Sequence, residues 1–283
     1  MIRKMLLSAY RKVVYVVRYS PLRNLKFLKR IQDSIIPLFV PRSVVIDGLT
    51  VFLDKRDYLH LANRSFEPFE SKTIMDNVKE GDVVIDIGAN LGFYTLLLAR
   101  KVGPKGKVYA FEPDTEMFAL LKKNVKANGF RNVKLFPMAV YDRSKTLSFS
   151  GYSSDVDSGF VSKEGARKVK AVSIDSLFAN KRVDFIKMDI EGSEGMAFKG
   201  MVKTARKNPK IRIVTEFFPH LLKNHSVNND RFYDLLKKEG FKLWDMDEER
   251  RKLVPLLKRS EVVDRPLQKG EIGFYAINML CKR

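Results

Sequence analysis

The sequence predicts an α/β protein with a Rossmann-like, mostly parallel, seven-stranded sheet that closes with an antiparallel hairpin. First, Val83–Gly92 is a short apolar run that ends in an acid and a glycine turn, as in a buried parallel strand leading into a helix. Second, short apolar runs alternate with helical patterns after this turn. Third, the strand-like segments Phe241–Asp245 and Glu271–Leu280 have no convincing helix between them, which favours an antiparallel pair.

The glycine turn indicates which kind of ligand the sheet holds. Gly88 and Gly92 let a ligand approach the main chain, whereas Asn90 stands where a dinucleotide fingerprint needs its middle glycine. The turn therefore suits a ligand without phosphates, such as S-adenosylmethionine, and a NAD-dependent oxidoreductase is the weakest alternative. For the turn alone, a plain packing corner between strand and helix is the other interpretation.

Acids also end two further predicted strands. Glu112 follows Lys107–Phe111, about 20 residues beyond the glycine turn, where a carboxylate can accept hydrogen bonds from both hydroxyls of a ribose. Asp189 follows Val183–Met188. Ligands of open α/β sheets bind at the carboxyl ends of the strands, so Asp86 and these two acids are expected along one rim. Each acid taken alone could instead cap the next helix.

Composition limits the partners and the compartment. The chain has 283 residues, with 53 Lys and Arg against 33 Asp and Glu, which gives a formal charge of +20. This charge suggests an acidic partner such as nucleic acid, anionic lipid or an acidic glycan. Cys281 is the single cysteine, and the three histidines are too scattered to indicate a metal. No apolar run approaches the ~20 residues of a membrane-spanning helix, so we expect a cytoplasmic protein.

Residues 1–66 are expected to form a basic extension ahead of the main domain, which spans residues 67–283. Met1–Arg18 is predicted to be an amphipathic helix and Asn24–Ile36 a second helix, while Ser43–Ile46 and Leu49–Leu53 are predicted to form a hairpin. Met1–Arg30 is basic enough for peripheral contact with an anionic membrane. Packing of the first helix on the protein itself is the favoured alternative.

Three less regular segments complete the prediction. Gly151–Gly165 is rich in Ser, Asp and Gly and is predicted to be a functional or mobile loop. Arg250–Lys258 is predicted to be a basic linker or a short helix. Ser71–Val78 is predicted to be the helix before the central strand, and Glu67 and Glu70 ahead of it are expected to be solvated.

Motifs spread along the main domain carry a family resemblance. In order they are DVVIDIGANLGFYTLLLA, VYAFEPD, LKKNVKANG, VSIDSL, VDFIKMDIEGSE, FKGM and IVTEF. This set resembles the FkbM-type S-adenosylmethionine-dependent methyltransferases. The resemblance implies a class I methyltransferase fold and methyl transfer to hydroxyl oxygens of sugars and other natural products. The N-terminal extension lies outside it.

The resemblance also implies which residues hold the cofactor. Asp86 and the glycine turn would line its methionine and ribose, Glu112 would accept from the ribose hydroxyls, and Asp189 would face the reaction centre. Two residues after the third strand, Ala139 and Val140, would lie near the adenine. The complete candidate set for the cofactor is Asp86, Gly88, Ala89, Asn90, Gly92, Phe93, Tyr94, Glu112, Pro113, Ala139, Val140 and Asp189.

A neutral hydroxyl must lose a proton during methyl transfer, so a general base within hydrogen-bond reach is expected. Asp189 is the first candidate, followed by Glu216 and His220, while Lys187 is expected to pair with a neighbouring carboxylate. Nothing in the sequence demands a metal at Asp189 and Glu191. The expected acceptor is a small molecule or a glycan. Two other functions stay open: an RNA or DNA methyltransferase, which the charge favours, and a non-catalytic basic protein that binds membrane surfaces.

Overall fold

A computed structural model of the chain describes residues 40–55, 61, 68–151, 160–161, 167–217, 231–263 and 277–283. Within these residues the chain forms one large mixed sheet with helices on both faces, a smaller sheet and a two-stranded hairpin. The predicted α/β fold class is therefore confirmed. The helices predicted at Met1–Arg18 and Asn24–Ile36 lie outside the described residues.

Five parallel strands form one side of the large sheet. In spatial order they are β5 (Val133–Phe136), β4 (Lys107–Phe111), β3 (Val83–Ile87), β10 (Phe185–Met188) and β11 (Arg212–Phe217). The side chains of β3 alternate between two hydrophobic cores, with Val84 in one core and Ile85 in the other. Because the strands are parallel, their carboxyl ends lie side by side, and we call this edge the rim.

The other side of the large sheet is antiparallel. β14 (Ile277–Lys282) lies between β11 and β12 (Lys242–Asp247) and runs antiparallel to both, as the predicted closing pair requires. β13 (Lys252–Leu256) pairs with β12 at the outer edge and adds an eighth strand to the predicted seven. The prediction of a linker or short helix at Arg250–Lys258 is wrong, because the Lys and Pro of this run suit an exposed edge strand.

Helices cover both faces of the large sheet. One face carries α1 (Pro68–Asn77), α2 (Phe93–Val102) and α3 (Thr115–Ala127). The opposite face carries α4 (Ile174–Phe178), α5 (Glu194–Lys199), α6 (Val202–Lys207) and α7 (Phe232–Lys238). A short helix, α8 (Ser260–Val263), follows β13. In the part of the chain that the structure describes, no helix is both long and apolar enough to cross a membrane.

Two small sheets accompany the large one: a hairpin precedes it in the sequence, and a four-stranded sheet comes between β5 and β10. β1 (Ser43–Ile46) and β2 (Leu49–Phe52) form the predicted hairpin. The second small sheet has the strand order β6 (Ala139–Val140), β9 (Arg167–Val172), β7 (Lys145–Ser150) and β8 (Phe160–Val161). β8 falls inside the predicted loop Gly151–Gly165, so the loop prediction is wrong at Phe160 and Val161. Residues 152–159 and 162–166 lie outside the described ranges, and for them it stays a prediction.

Candidate active site

The glycine turn joins the end of β3 to the start of α2. Gly88, Asn90 and Gly92 have positive φ angles of 78°, 52° and 97°. A Cβ atom at Gly88 would lie 1.8 Å from the carbonyl oxygen of Asp189, so only glycine fits where β3 and β10 end. Because β3 and β10 pair in parallel, two of the three predicted rim acids, Asp86 and Asp189, lie at neighbouring strand ends.

Glu112, at the end of β4, lies against this turn. Its carboxylate accepts hydrogen bonds from the N–H groups of Asn90 at 2.7 Å and Asp114 at 2.8 Å. Burial raises the pKa of Glu112 to about 8, although the two hydrogen bonds oppose that shift. Because a carboxylate has about four acceptor positions, each oxygen of Glu112 retains a direction for one further donor.

The other predicted cofactor residues lie in the turn, at the start of α2, after β4 and in β6. The N–H groups of Gly88 and Ala89 both donate to the Phe111 carbonyl at 3.0 Å, which ties the turn to β4. Four more are buried and occupy the start of α2 and the strand β6: Phe93, Tyr94, Ala139 and Val140. Pro113 follows Glu112 in the chain. The structure thus brings the turn, Glu112 and the start of α2 together.

Asp86 is the fourth residue of β3 and is fully buried. The hydroxyl of Thr95 in α2 donates a hydrogen bond to Asp86 Oδ2 at 2.5 Å, whereas Oδ1 has no hydrogen-bond partner among the described residues. Burial raises the pKa of Asp86, and the charge of Lys187 on the paired strand opposes this shift. A buried oxygen without a partner is costly, so a ligand that donates to it would be favoured.

Lys187 lies among acidic side chains at the end of β10. Its buried ammonium group donates to Asp189 at 2.9 Å and lies 4.8 Å from the ring centre of Tyr94. Burial alone would lower the pKa of Lys187, but the charges of Asp189, Asp86 and Glu70 outweigh burial and raise it. Lys187 is therefore firmly protonated, and its expected pairing with a neighbouring carboxylate is confirmed.

Asp189 and Glu216 form a hydrogen bond between their carboxyl groups. Burial raises the pKa of Asp189, but the charge of Lys187 and the hydrogen bond with Glu216 bring it below its usual value. Asp189 therefore favours its ionised form. Two of the three general-base candidates are thus in contact, and His220 lies outside the described residues.

The chemistry of the rim falls into two halves. Glu112 and Asp86 offer hydrogen-bond acceptors beside the glycine turn, which suits a ligand that carries hydroxyl or amino donors. Lys187, Asp189 and Glu216 form a charged network that keeps one carboxylate ionised. Across the described ranges, no group of three or more His, Cys, Asp or Glu side chains is arranged to hold a metal ion.

A family model for the Methyltransferase FkbM domain matches residues 86–243, which is more than half of the chain. The chain belongs to the FkbM methyltransferase family. The resemblance carried by the sequence motifs is thereby confirmed. Both halves of the rim, from Asp86 to Glu216, lie inside the FkbM match.

Other known proteins match shorter or more distant parts of this FkbM chain. The hexuronic acid methyltransferase AglP of Haloferax volcanii is 28% identical over 137 residues, which are 46% of this chain and 54% of that protein. The demethylmenaquinone methyltransferase of Geobacillus stearothermophilus is 35% identical over 79 residues, 28% of this chain and 32% of that protein. The chain thus spans about a third to a half of the length of these two relatives. A solved structure, the methyltransferase FkbM from Methylobacillus flagellatus, aligns with 72% of this chain and 44% of its own at 15% identity and a TM-score of 0.43.

Two residues outside the FkbM match join the charged network, and the sequence did not reveal them. Glu70 in α1 is buried, so the expectation that it is solvated is wrong. Its carboxylate accepts a hydrogen bond from Asn278 at 2.8 Å, and Asn278 lies opposite Glu216 in the register of β11 and β14. Glu248 fixes the start of α1 by accepting from the N–H groups of Phe69 and Glu70. Glu70 and Asn278 are 208 residues apart, so no local pattern could have paired them.

Proposed function

We propose that this FkbM chain transfers a methyl group from S-adenosylmethionine to a neutral hydroxyl of a sugar or glycan, including a lipid-linked one. The observation that carries the proposal is one rim that joins a glycine turn, backed by Glu112, to an ionised carboxylate on Asp189. Family membership supports the cofactor. The charges around Lys187 support the class of acceptor.

The residues at the glycine turn fit a nucleoside cofactor that has no phosphate. Glu112 retains acceptor directions for ribose hydroxyls, and Asp86 Oδ1 is a buried acceptor with no partner in the described part of the chain. Asn90 replaces the glycine that would let a pyrophosphate reach the backbone. When bound, the cofactor supplies a methyl group that its positively charged sulfur already activates. The chain then has to hold the cofactor and align the acceptor.

Asp189 is the residue that would take the proton of the acceptor hydroxyl. Lys187 keeps Asp189 ionised, and a side-chain hydrogen bond links Asp189 to Glu216. The side chain of Asp189 is 36% exposed, so an acceptor can reach it. A placed general base contributes ~10²–10⁴-fold to a rate, and alignment of the reacting groups supplies ~7–11 kcal/mol of the barrier. Positioning is therefore the larger contribution expected from this site.

The acidic surroundings of Lys187 favour a neutral acceptor group. Asp189, Asp86 and Glu70 act on a single ammonium group, so an anion brought to this point would be repelled. Carboxylates together with the Asn278 amide suit hydroxyl groups, which both donate and accept hydrogen bonds. The relative named as a hexuronic acid methyltransferase supports a sugar acceptor. The formal charge of +20 is the observation that favours the second candidate, an RNA or DNA methyltransferase.

Peripheral contact of Met1–Arg30 with an anionic membrane, on its cytoplasmic side, completes the proposal. The support is the amphipathic and basic pattern of this segment. Such contact would bring the chain to a membrane that carries lipid-linked acceptors. Packing of the same segment on the protein remains the competing arrangement.

Two variants separate cofactor binding from methyl transfer. Glu112→Ala should weaken calorimetric binding of S-adenosylhomocysteine, the demethylated product, by about tenfold or more, because a buried acceptor is lost. Asp189→Asn should bind this product nearly as well as the unmodified chain but lower turnover by about 10²–10⁴-fold. Turnover would be followed with labelled cofactor against neutral sugars, uronic acids and bulk RNA. Failure of the unmodified chain to bind the product would overturn the proposal, and methylation of RNA alone at raised salt would favour the second candidate.

A further inference from the structure

Asn124 in α3 and Asn128, which caps the end of α3, pair with the edge of β2 through their side-chain amides. The side-chain amide of Asn124 accepts from the Phe52 N–H at 2.6 Å and donates to the Phe52 carbonyl at 3.1 Å. Asn128 makes the same two bonds with Thr50, at 2.9 Å and 2.7 Å. Residues four apart share one helix side, and residues two apart share one strand edge, so the two amides match β2 in register.

One of these asparagines also holds the glycine turn. Asn124 is fully buried, and its amide nitrogen donates a further hydrogen bond to the Leu91 carbonyl at 2.7 Å. Asn128 uses its remaining donor on the Asn124 carbonyl of its own helix, at 2.8 Å. The two side chains therefore make equal contacts with the hairpin, and only Asn124 links the hairpin to the turn.

The Leu91 carbonyl is a sensitive point of the turn. Leu91 lies between two positive-φ residues, Asn90 and Gly92, and its carbonyl belongs to the peptide group that joins it to Gly92. The N–H of Asn90 donates to Glu112 at 2.7 Å, so a rotation of this part of the turn would change how Glu112 is held. Left-handed backbone angles at Asn90 persist only when surrounding contacts fix them. The Asn124 hydrogen bond is such a contact.

We propose that Asn124 is a positioning residue for the cofactor. It holds the Leu91 carbonyl, and through it the glycine turn and Glu112, in the arrangement that receives the ribose. The hairpin at residues 43–52 lies outside the FkbM match, yet its β2 edge orients the Asn124 amide. The hairpin is therefore part of the cofactor site rather than an appendage. This inference rests on the proposed function, because it concerns the same bound cofactor.

Asn128→Ala provides a matched control for Asn124→Ala. Each variant loses two hydrogen bonds to β2, but only Asn124→Ala also loses the hydrogen bond to the Leu91 carbonyl in the turn. The affinity for S-adenosylhomocysteine would be measured by calorimetry, well below the unfolding midpoint of the less stable variant. We expect Asn124→Ala to weaken binding by about tenfold, the effect of one buried hydrogen bond, and Asn128→Ala to change it little. With an acceptor in hand, Asn124→Ala should raise KM for the cofactor more than it lowers kcat.

Hydrogen exchange of the Gly92 amide gives a second readout, because this N–H donates to Ala89 within the turn at 2.9 Å. It should exchange faster in Asn124→Ala than in Asn128→Ala. If Asn124→Ala does not fold, Asn124→Asp keeps the acceptor for Phe52 and the side-chain shape but removes both donors, and it should show the same weakened binding. Equal affinities in the Asn124 and Asn128 variants would overturn the inference while the cofactor site stands. No binding by the unmodified chain would overturn both.

Discussion

Replacing Lys187 with Met tests whether the charged network serves catalysis. The change keeps most of the side-chain volume and removes the cation that Asp189, Asp86 and Glu70 share. Breaking a buried ion pair costs ~3–5 kcal/mol, because a charge is left without a partner. The Asp189 side chain is 36% exposed, so water screens part of that charge, and we expect a loss of about 2–3 kcal/mol in the free energy of unfolding.

The same substitution should shift the pH dependence of activity. Lys187 lowers the pKa of Asp189, so the unmodified chain keeps Asp189, the proposed base, ionised as the pH falls to the lowered pKa. Without Lys187 this pKa rises, and the acid limb of kcat/KM should move to higher pH. Folding stability follows the same sign: the contribution of ionised Asp189 is present above its unfolded pKa and is lost as the pH falls through the lowered value. Urea unfolding and kcat/KM profiles measure the two effects.

Three companion variants identify the cause of these losses. Lys72→Met removes an exposed cation paired with Asp76 on α1 and should change the free energy of unfolding by less than about 0.5 kcal/mol. Lys187→Arg keeps the charge and should restore most of the pH profile. The double variant Lys187→Met with Asp189→Asn should regain stability without regaining turnover. A Lys187→Met variant that unfolds like Lys72→Met and keeps its acid limb unmoved would refute a catalytic role for the charged network.

Two further predictions concern Glu112 and the N-terminal segment. Glu112 has a folded pKa of about 8, above its unfolded value of 4.5, so its contribution to stability should fall by up to about 5 kcal/mol as the pH rises from 4.5 to 8. Ribose hydroxyls favour the ionised form of Glu112, so binding of S-adenosylhomocysteine should tighten over the same pH range and release a proton. Calorimetry in buffers of different ionisation enthalpy measures that proton release. An affinity that does not change with pH would contradict this role of Glu112. Because of Met1–Arg30, the chain should co-float with anionic vesicles, but not with neutral ones, in a flotation assay at low salt. Replacing its Lys and Arg with Gln should abolish flotation, and unchanged flotation would refute membrane contact by this segment.

Local patterns predicted the strands and helices that build the rim. The helix expected after the glycine turn is α2, an apolar segment that begins after Gly92 and ends before Gly103. Glu112 was placed beside the turn correctly, because parallel strands that follow each other in the chain lie side by side here. These features depend on hydrophobic periodicity and on strands that are consecutive in the sequence and adjacent in the sheet.

Features that depend on distant pairing were not predicted. The basic run at Arg250–Lys258 forms β13 only because β12 offers it an edge, and its composition alone suggested a linker. Glu70 is buried because Asn278, on a strand inserted between β11 and β12, supplies its hydrogen bond. Asn124 lies in α3, and its contacts with Phe52 and Leu91 join three separate segments. Polar residues with remote partners carry no local signal.

The charge of the whole chain and the charge of its rim have opposite signs, and they affect binding at different distances. A formal charge of +20 acts over the ~8–10 Å that physiological salt allows, so it governs which surfaces and carriers the chain meets. At the rim, Lys187 lies among Asp189, Asp86 and Glu70 in direct electrostatic contact. Under the proposed function, groups this close would decide which chemical group is tolerated at the reacting atom, and they would favour a neutral hydroxyl over a phosphate. An anionic carrier that presents a neutral sugar would suit both the basic chain and the acidic rim. Composition alone indicates the charge of the carrier and gives no information about the group that is methylated.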